Sequence, residues 1–406
     1  MRRADRVVVT GMGVLAPNGI GTDMFWENTL NGVSGISQIE RLDADHLDNK
    51  FGGEIKGFRF GDYAQDPGFE DLGRGTQFAI AAAMMALQDA GLDQSDLDRI
   101  QAGLYLGTTM GESQIAEEYI EEHLREGDPR HKRLTYYRSN MIPAMTSIRL
   151  GLNGPSGLIP TACAAGNYAI GFATDLIDQG RADIMLAGGV DPWSTIAYQG
   201  FNSMFAISPD VCRPFDKQRK GILISEGAAI LVLEKEKNAR KRGAHIYAEI
   251  AGYGIGADGY HMTSPHPAGR GGILSGQVAM RQAGVDAEDI DYVCAHGTGT
   301  QANDRTETLI VKELLGEHAA KVPLSSIKSM LGHTMGAASA IEAVASVMAI
   351  RDNVIPPTIN YTTPDPECDL DIVPNRCREH PVDIVVNNSF AFGGNCATVI
   401  LRSFRG

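Results

Sequence analysis

The chain has 406 residues, 43% hydrophobic and 21% charged, the balance of a globular protein long enough for more than one core. Its formal charge of −14 argues against nucleic acid as a partner. No run of about 18 apolar residues could span a membrane, and the opening MRRADR lacks the apolar core of a signal peptide, so a cytoplasmic protein is expected.

In chain order, an apolar run at Val7–Val9 predicts a first strand and Ala79–Asp89 a helix. The stretch 112–140, rich in Glu, Arg and His, reads as an exposed insertion carrying a solvated surface helix. A helix over Ala165–Gln179 follows, then strands at Ala182–Leu186 and Ala229–Leu233. The second half predicts a strand at Asp291–Cys294, a helix at Ala337–Arg351, and last strands near Ile384–Val386 and Ala397–Leu401. Such alternation favours layered α/β architecture with both sheet faces covered.

The two halves echo each other. ALQDAGLDQSDLDRIQAGLYLGT (86–108) and AMRQAGVDAEDIDYVCAHGT (279–298) both run from an apolar helix end through Ala-Gly and an Asp-rich turn into a short strand closed by Gly-Thr. The Ala-Gly pairs lie about half the chain apart. VVVTGMGVLAPNGIG (7–21) and AEIAGYGIGADGYH (248–261) echo more faintly. A duplicated α/β unit accounts for this, and no Pro/Ser-rich linker parts the halves.

Three turns carry chemistry. In PTACAAGN, Cys163 sits between a strand-like run and the start of a small-residue helix, where the helix dipole is expected to stabilise thiolate and nearby amides to form an oxyanion hole. The alternative is a buried structural cysteine. In AHGTGT, His296 ends a strand, the position where α/β folds place ligand sites, and Thr298 and Thr300 could bond a linear polar arm; no Gly-Lys-Ser/Thr supports nucleotide binding. In SIKSMLGHTMGAA, His333 precedes another small-residue helix, whose dipole disfavours imidazolium, so a neutral ring donating through Nε2–H is expected. Glu342 lies on that helix among apolar neighbours, which suggests a buried, paired carboxylate. The six cysteines show no zinc spacing or Cys-x-x-Cys pair, and all are expected to be free thiols. One thiol with one histidine would suggest a cysteine hydrolase; two histidines on separate loops suggest that a carbonyl is being polarised.

TACAAG, HGTGT and KSMLGHTMGAAS, together with PFDKQRKG (214–221) and NSFAFGG (388–394), resemble the β-ketoacyl-[acyl carrier protein] synthase family, with the elongating type II ketosynthases nearest, over essentially the whole chain. The resemblance implies the thiolase-like fold, two duplicated α/β halves (1–244 and 245–406) in five αβαβα layers, and decarboxylative Claisen condensation with malonyl-ACP. Cys163 would carry the acyl group, with its amide and that of Phe392 as oxyanion hole and Phe392 as gate. His296 and His333 would activate the malonyl thioester, supported by Lys328, Glu342, Asp304 and Glu307. Thr298 and Thr300 would hold the phosphopantetheine arm of the carrier, and Met110 would line the acyl tunnel. The family implies no metal or bound cofactor for the chemistry, and a homodimer or a heterodimer with a chain-length factor. A CoA-dependent, thiolase-like condensing enzyme is the alternative class. The chain departs from the family at Ala391, at Cys396 (commonly the asparagine of a structural cation site) and in Ser225-Glu-Gly-Ala-Ala. In place of a basic carrier-docking segment stands acidic 65–73, leaving Arg74 and Arg213 as docking candidates. These differences favour a specialised polyketide or polyene paralogue.

Overall fold

Glycines in the opening strands explain the echo between the halves. In a computed structural model describing residues 5–41, 49–64, 69, 71–127 and 132–405, Val7–Ala16 forms strand β1 and Arg74–Asp89 helix α1 lies across it. A Cβ on Gly11 would land on the Ala86 carbonyl and one on Gly13 on that of Ala82, so only glycine lets the helix approach so closely. Gly252 and Gly254 do the same against Ala279 and Ser275 in the second half. The Asp-rich turns that follow are capping boxes in both halves, Asp93 with Asp96 and Asp286 with Asp289.

The first half continues with β2 (Ala102–Gly107), α2 (Ser113–Glu126), β3 (Ser156–Ile159), α3 (Ala165–Asp178), β4 (Ile184–Asp191) and β5 (Gly227–Lys235). The second runs through β6 (Ala248–Ala257), α4 (Arg270–Ala283), β7 (Tyr292–Cys294), α5 (Gln301–Leu315), β8 (Pro323–Ser325), α6 (Ala338–Asp352), β9 (Asp371–Ile372), β10 (Ile384–Phe390) and β11 (Asn395–Ser403). The strands follow the path β9-β8-β7-β10-β11-β6-β1-β5-β4-β2-β3. Outward from the β6–β1 junction both halves repeat one pattern, two antiparallel pairings then two parallel ones, and the second half adds a third parallel pairing, β8 with β9. Observed strands are longer than the apolar runs suggested, because Gly and Asn within them still pair.

Side chains of β5 show how the layers stack. Ala229, Leu231 and Leu233 enter the core shared with α3 and α6, whereas Ala228, Ile230 and Val232 meet α1 outside. The second half has its own outer core, with Ala279, Val311, Leu324 and Ile400. Helices α3 and α6 occupy the middle layer, and α6 is buried from Ala338 to Ile350. This is the five-layer, thiolase-like arrangement. Among the described residues no helix is long and apolar enough to cross a membrane.

Helix α2 departs from the solvated insertion expected over 112–140. Glu112 is fully buried and accepts bonds from the Gly75 and Thr76 amides, while Ile120 and Leu124 are exposed. Residues 128–131 of that stretch, and most of the acidic segment 65–73, lie outside the described residues.

Candidate active site

Two equivalent turns deliver the thiol and one imidazole. After β3, Ala162 adopts φ 51°, a left-handed conformation costly for a residue with a Cβ, and Cys163 sits in the single turn Ala162–Ala164 that opens α3. In the second half Met335 has φ 52° and begins the turn Met335–Ala337 that opens α6, two residues after His333. The helices meet closely because position 166 is glycine: a Cβ there would stand 2.7 Å from the Ala340 amide nitrogen. The Asn167 amide donates to Ser339 Oγ across the same seam at 3.0 Å. His296 arrives separately, just past the end of β7.

Cys163 Sγ and one ring nitrogen from each of His296 and His333 all lie within 4.8 Å of one another. The imidazoles are edge to face, with centroids 5.5 Å apart, and all three side chains are buried. Burial and the Lys328 ammonium hold both histidines well below the usual imidazole range, so both are neutral at pH 7. Their tautomers follow from their neighbours. The Met335 amide donates to His333 Nδ1 at 3.1 Å, and Lys328 Nζ stands 3.3 Å from His296 Nδ1. Each Nδ1 therefore offers a lone pair, which puts the proton on Nε2 as a hydrogen-bond donor.

This arrangement is poorly suited to a metal, although sulfur and two nitrogens could reach one. A metal-bound imidazole gives its other N–H to an acceptor, whereas here both Nδ1 atoms face donors, one of them cationic. Cys396 likewise gives a structural cation no oxygen; its thiol is buried against the Gly394 carbonyl at 3.6 Å.

The thiol differs from expectation. Burial pushes Cys163 up to about 12 and the Asp191 charge adds to the rise, while Lys328 and the Cys163 backbone amide pull down less strongly. Desolvation thus outweighs the Lys328 charge and the amide hydrogen bond that favour thiolate, and the resting group is a thiol.

Lys328 is in turn ion-paired with buried Glu342, whose carboxyl is pushed up by burial and drawn down by the lysine. Glu307 accepts from the amides of His296 (2.8 Å) and Gly297 (2.7 Å), and Asp304 from those of Thr298 (3.1 Å) and Gly299 (3.2 Å). Burial pushes Glu307 up to about 8. The pair of carboxyls shapes the HGTGT loop from behind. In front, Thr298 and Thr300, with hydroxyls 3.0 Å apart, line a cavity of about 380 Å³ that ends at Cys163, His296 and His333. Phe390 and Phe392 form its wall, and Phe392 is partly exposed and stacked on Phe201.

Three residues with expected roles lie off this cavity. Met110 does not line this cavity; it is half-buried and its amide donates to Asp191 at 2.9 Å. Arg74 grips buried Glu226 at 2.7 Å and lies over the Phe78 ring, so it is a structural tie. Arg213 pairs with Asp210 at 2.6 Å. Asp191 was not singled out from sequence. Fully buried, it accepts from Thr108 Oγ1, from the amides of Thr109 and Met110, and from the Gly336 amide, joining the Met110 loop to the start of α6. Its only sequence signal was an acid ending an apolar strand. All six cysteines are free, with Cys377 alone exposed.

Residues 4–239 match the family model for the N-terminal domain of beta-ketoacyl synthase, and residues 247–362 that for its C-terminal domain. The chain is 40% identical to 3-oxoacyl-[acyl-carrier-protein] synthase 2 of Staphylococcus aureus (strain N315), covering all of both chains. It is 40% identical to the enzyme of that name from Synechocystis, covering 98% of each. Among solved structures, the ishigamide ketosynthase/chain length factor superposes with a TM-score of 0.95 at 42% identity, covering 99% of this chain and 100% of that one. A type II polyketide synthase acyl carrier protein in complex with its ketosynthase, bound to the hexaketide, gives 0.90 at 35% over the same shares.

Proposed function

The chain belongs to the β-ketoacyl synthase family, and we propose that Cys163 accepts the growing acyl group while two neutral histidines hold the extender. The reaction is decarboxylative Claisen condensation of an acyl-cysteine with malonyl-ACP to give 3-oxoacyl-ACP, in fatty acid or polyketide synthesis. One observation supports the assignment of roles: a single sulfur lies within 4.8 Å of a ring nitrogen of each of two imidazoles, whose Nδ1 atoms face the Met335 amide and the Lys328 ammonium.

Acyl transfer comes first. Cys163 sulfur attacks the thioester carbonyl, the oxyanion rests on the Cys163 and Phe392 amides, and the carrier thiol leaves with the proton the cysteine loses. The malonyl thioester then places its carbonyl oxygen between the two Nε2–H groups. Cleavage of the bond to the carboxylate releases carbon dioxide and leaves an enolate on that oxygen, stabilised by two hydrogen bonds, so no strong base is required. Each such donor contributes roughly 10²–10³ in rate. The enolate carbon attacks the acyl-cysteine carbonyl, and the cysteine leaves as thiolate and takes up a proton. Lys328 holds His296 as donor, Glu342 balances Lys328, and Glu307 and Asp304 fix the loop on which Thr298 and Thr300 bond the phosphopantetheine arm. Phe392 controls entry. The tautomers also weigh against a cysteine hydrolase, which needs an imidazole lone pair directed at the thiol.

Intact-mass measurement with a panel of acyl-ACPs tests this reading. The native protein should gain an acyl mass that chases into product on addition of malonyl-ACP. Cys163→Ala should show neither, and condensation by that variant would refute the mechanism. Cys163→Gln, shaped like the acylated state, should release carbon dioxide without condensing. Acyl-CoA offered in place of acyl-ACP should be a poor donor; preference for it would favour the CoA-dependent class.

The working unit we propose is a pair with a second ketosynthase-fold chain. Ile120 and Leu124 on α2, with Tyr137 and Ile148 after it, expose large apolar surface. One structural relative is described as a ketosynthase/chain length factor. Sizing of the chain expressed alone should give twice its 43.6 kDa for a self-pair; a monomer that becomes active only with a co-expressed factor would identify the mixed pair.

A further inference from the structure

The side chain of Arg219, in the segment PFDKQRKG, is fully enclosed, with none of it exposed. Its guanidinium reaches in several directions. Nε lies 3.3 Å from the Thr300 carbonyl and 3.6 Å from Asp304, and Nη1 donates to the Asp216 carbonyl at 3.0 Å and pairs with Asp365. Asp304, also fully buried, holds the Thr298 and Gly299 amides through Oδ1 and the Phe215 amide through Oδ2. The loop between those contacts contains Gly297 at φ 35° and Gly299 at φ 79°, positions with little intrinsic rigidity. Arg219 therefore grips residues 298–300 twice, directly at a carbonyl and indirectly by balancing the carboxylate that holds two amides. Both threonines of that loop line the cavity.

We infer that Arg219 is a positioning residue for the carrier arm, holding Thr298 and Thr300 in the register at which their hydroxyls meet an extended thioester substrate. The inference rests on the proposed role of those threonines. It needs a planar fork: an ammonium has one centre and cannot reach Thr300, Asp216 and Asp365 together. A retained charge in the wrong shape is then the informative lesion.

Arg219→Lys is compared with the native chain alone and in a Thr298→Ala/Thr300→Ala background. KM and kcat are measured with an acyl-pantetheine thioester, and Cys163 alkylation with iodoacetamide, which has no arm. Arg219→Lys should raise KM about tenfold, the scale of one charged hydrogen bond, with kcat and alkylation within about twofold. In the double-alanine background it should add nothing. Parallel loss of alkylation, an unchanged KM, or additive effects in that background would each overturn the proposal. Should Arg219→Lys fail to fold, Asp365→Asn removes one anchor and keeps the arginine; it should show the same KM pattern at smaller size, and an unchanged KM refutes the inference. If Thr298→Ala/Thr300→Ala itself leaves KM unchanged, the arm-binding role of the loop is wrong and the positioning role falls with it.

Discussion

At Cys163 two effects of opposite sign act on one proton. The start of α3 favours thiolate, whereas enclosure by Ala164, Ala165 and the histidines removes the water that would solvate it. Burial dominates and the value rises to about 12. A raised pKa means that the thiolate fraction keeps growing tenfold per pH unit through the working range. The alkylation rate of Cys163 should therefore climb with pH to at least 10 without levelling off. An unperturbed cysteine, with pKa about 8.5, would flatten by about pH 9.5, and a helix-activated thiolate well before pH 8. A plateau near neutrality, followed by mass spectrometry of the modified peptide, would restore the activated-thiolate reading. The same enclosure keeps His296 and His333 uncharged, so the buried site that makes the sulfur a poor thiolate makes the imidazoles dependable neutral donors.

Between elements, the site depends on contacts that no local pattern announces. The Asp-rich turns at Asp93 and Asp286, the echoing glycine-rich openings of the halves, and the cysteine and histidine turns were legible because each is written within a few consecutive residues. Asp191 was not, since its four donors come from residues 108–110 and 336, far along the chain in both directions. Arg219 was hidden for the same reason, and so was the grip of Arg74 on buried Glu226, 152 residues away. Asp191 ties a loop of the first half to the helix start that positions His333. Asp191→Asn replaces one accepting oxygen with a donor facing amides. Leaving those buried amides unpaired should cost about 1–3 kcal/mol each, read as a lower urea midpoint, and condensation should fall more than acyl transfer to Cys163. Equal loss of the two steps would mean that the carboxylate serves stability alone.

For the whole molecule, the mirrored strand path places the cysteine turn and the His333 turn at equivalent positions of two copies of one unit. The meeting of Cys163 and His333 is thus a consequence of the repeat, with His296 added from the end of β7. Sequence carried that symmetry well, because glycine spacing and caps survive in both halves. It carried little about surfaces that meet another chain, since an apolar residue on a charged helix looks like ordinary amphipathicity. Leu124 is 81% exposed on α2, and Ile148 67% exposed on the helix Met141–Leu150. Neither contributes to a core, so charging them should barely alter folding, within about 0.5 kcal/mol. In a paired assembly, by contrast, a buried carboxylate without a partner is strongly unfavourable. Leu124→Glu and Ile148→Glu together should leave the separated chain folded while releasing it at 43.6 kDa from whichever active pair it forms, with itself or with a co-expressed factor, and lowering condensation. If size and activity both stay native, these residues lie outside the subunit contact and the apolar surface has another use.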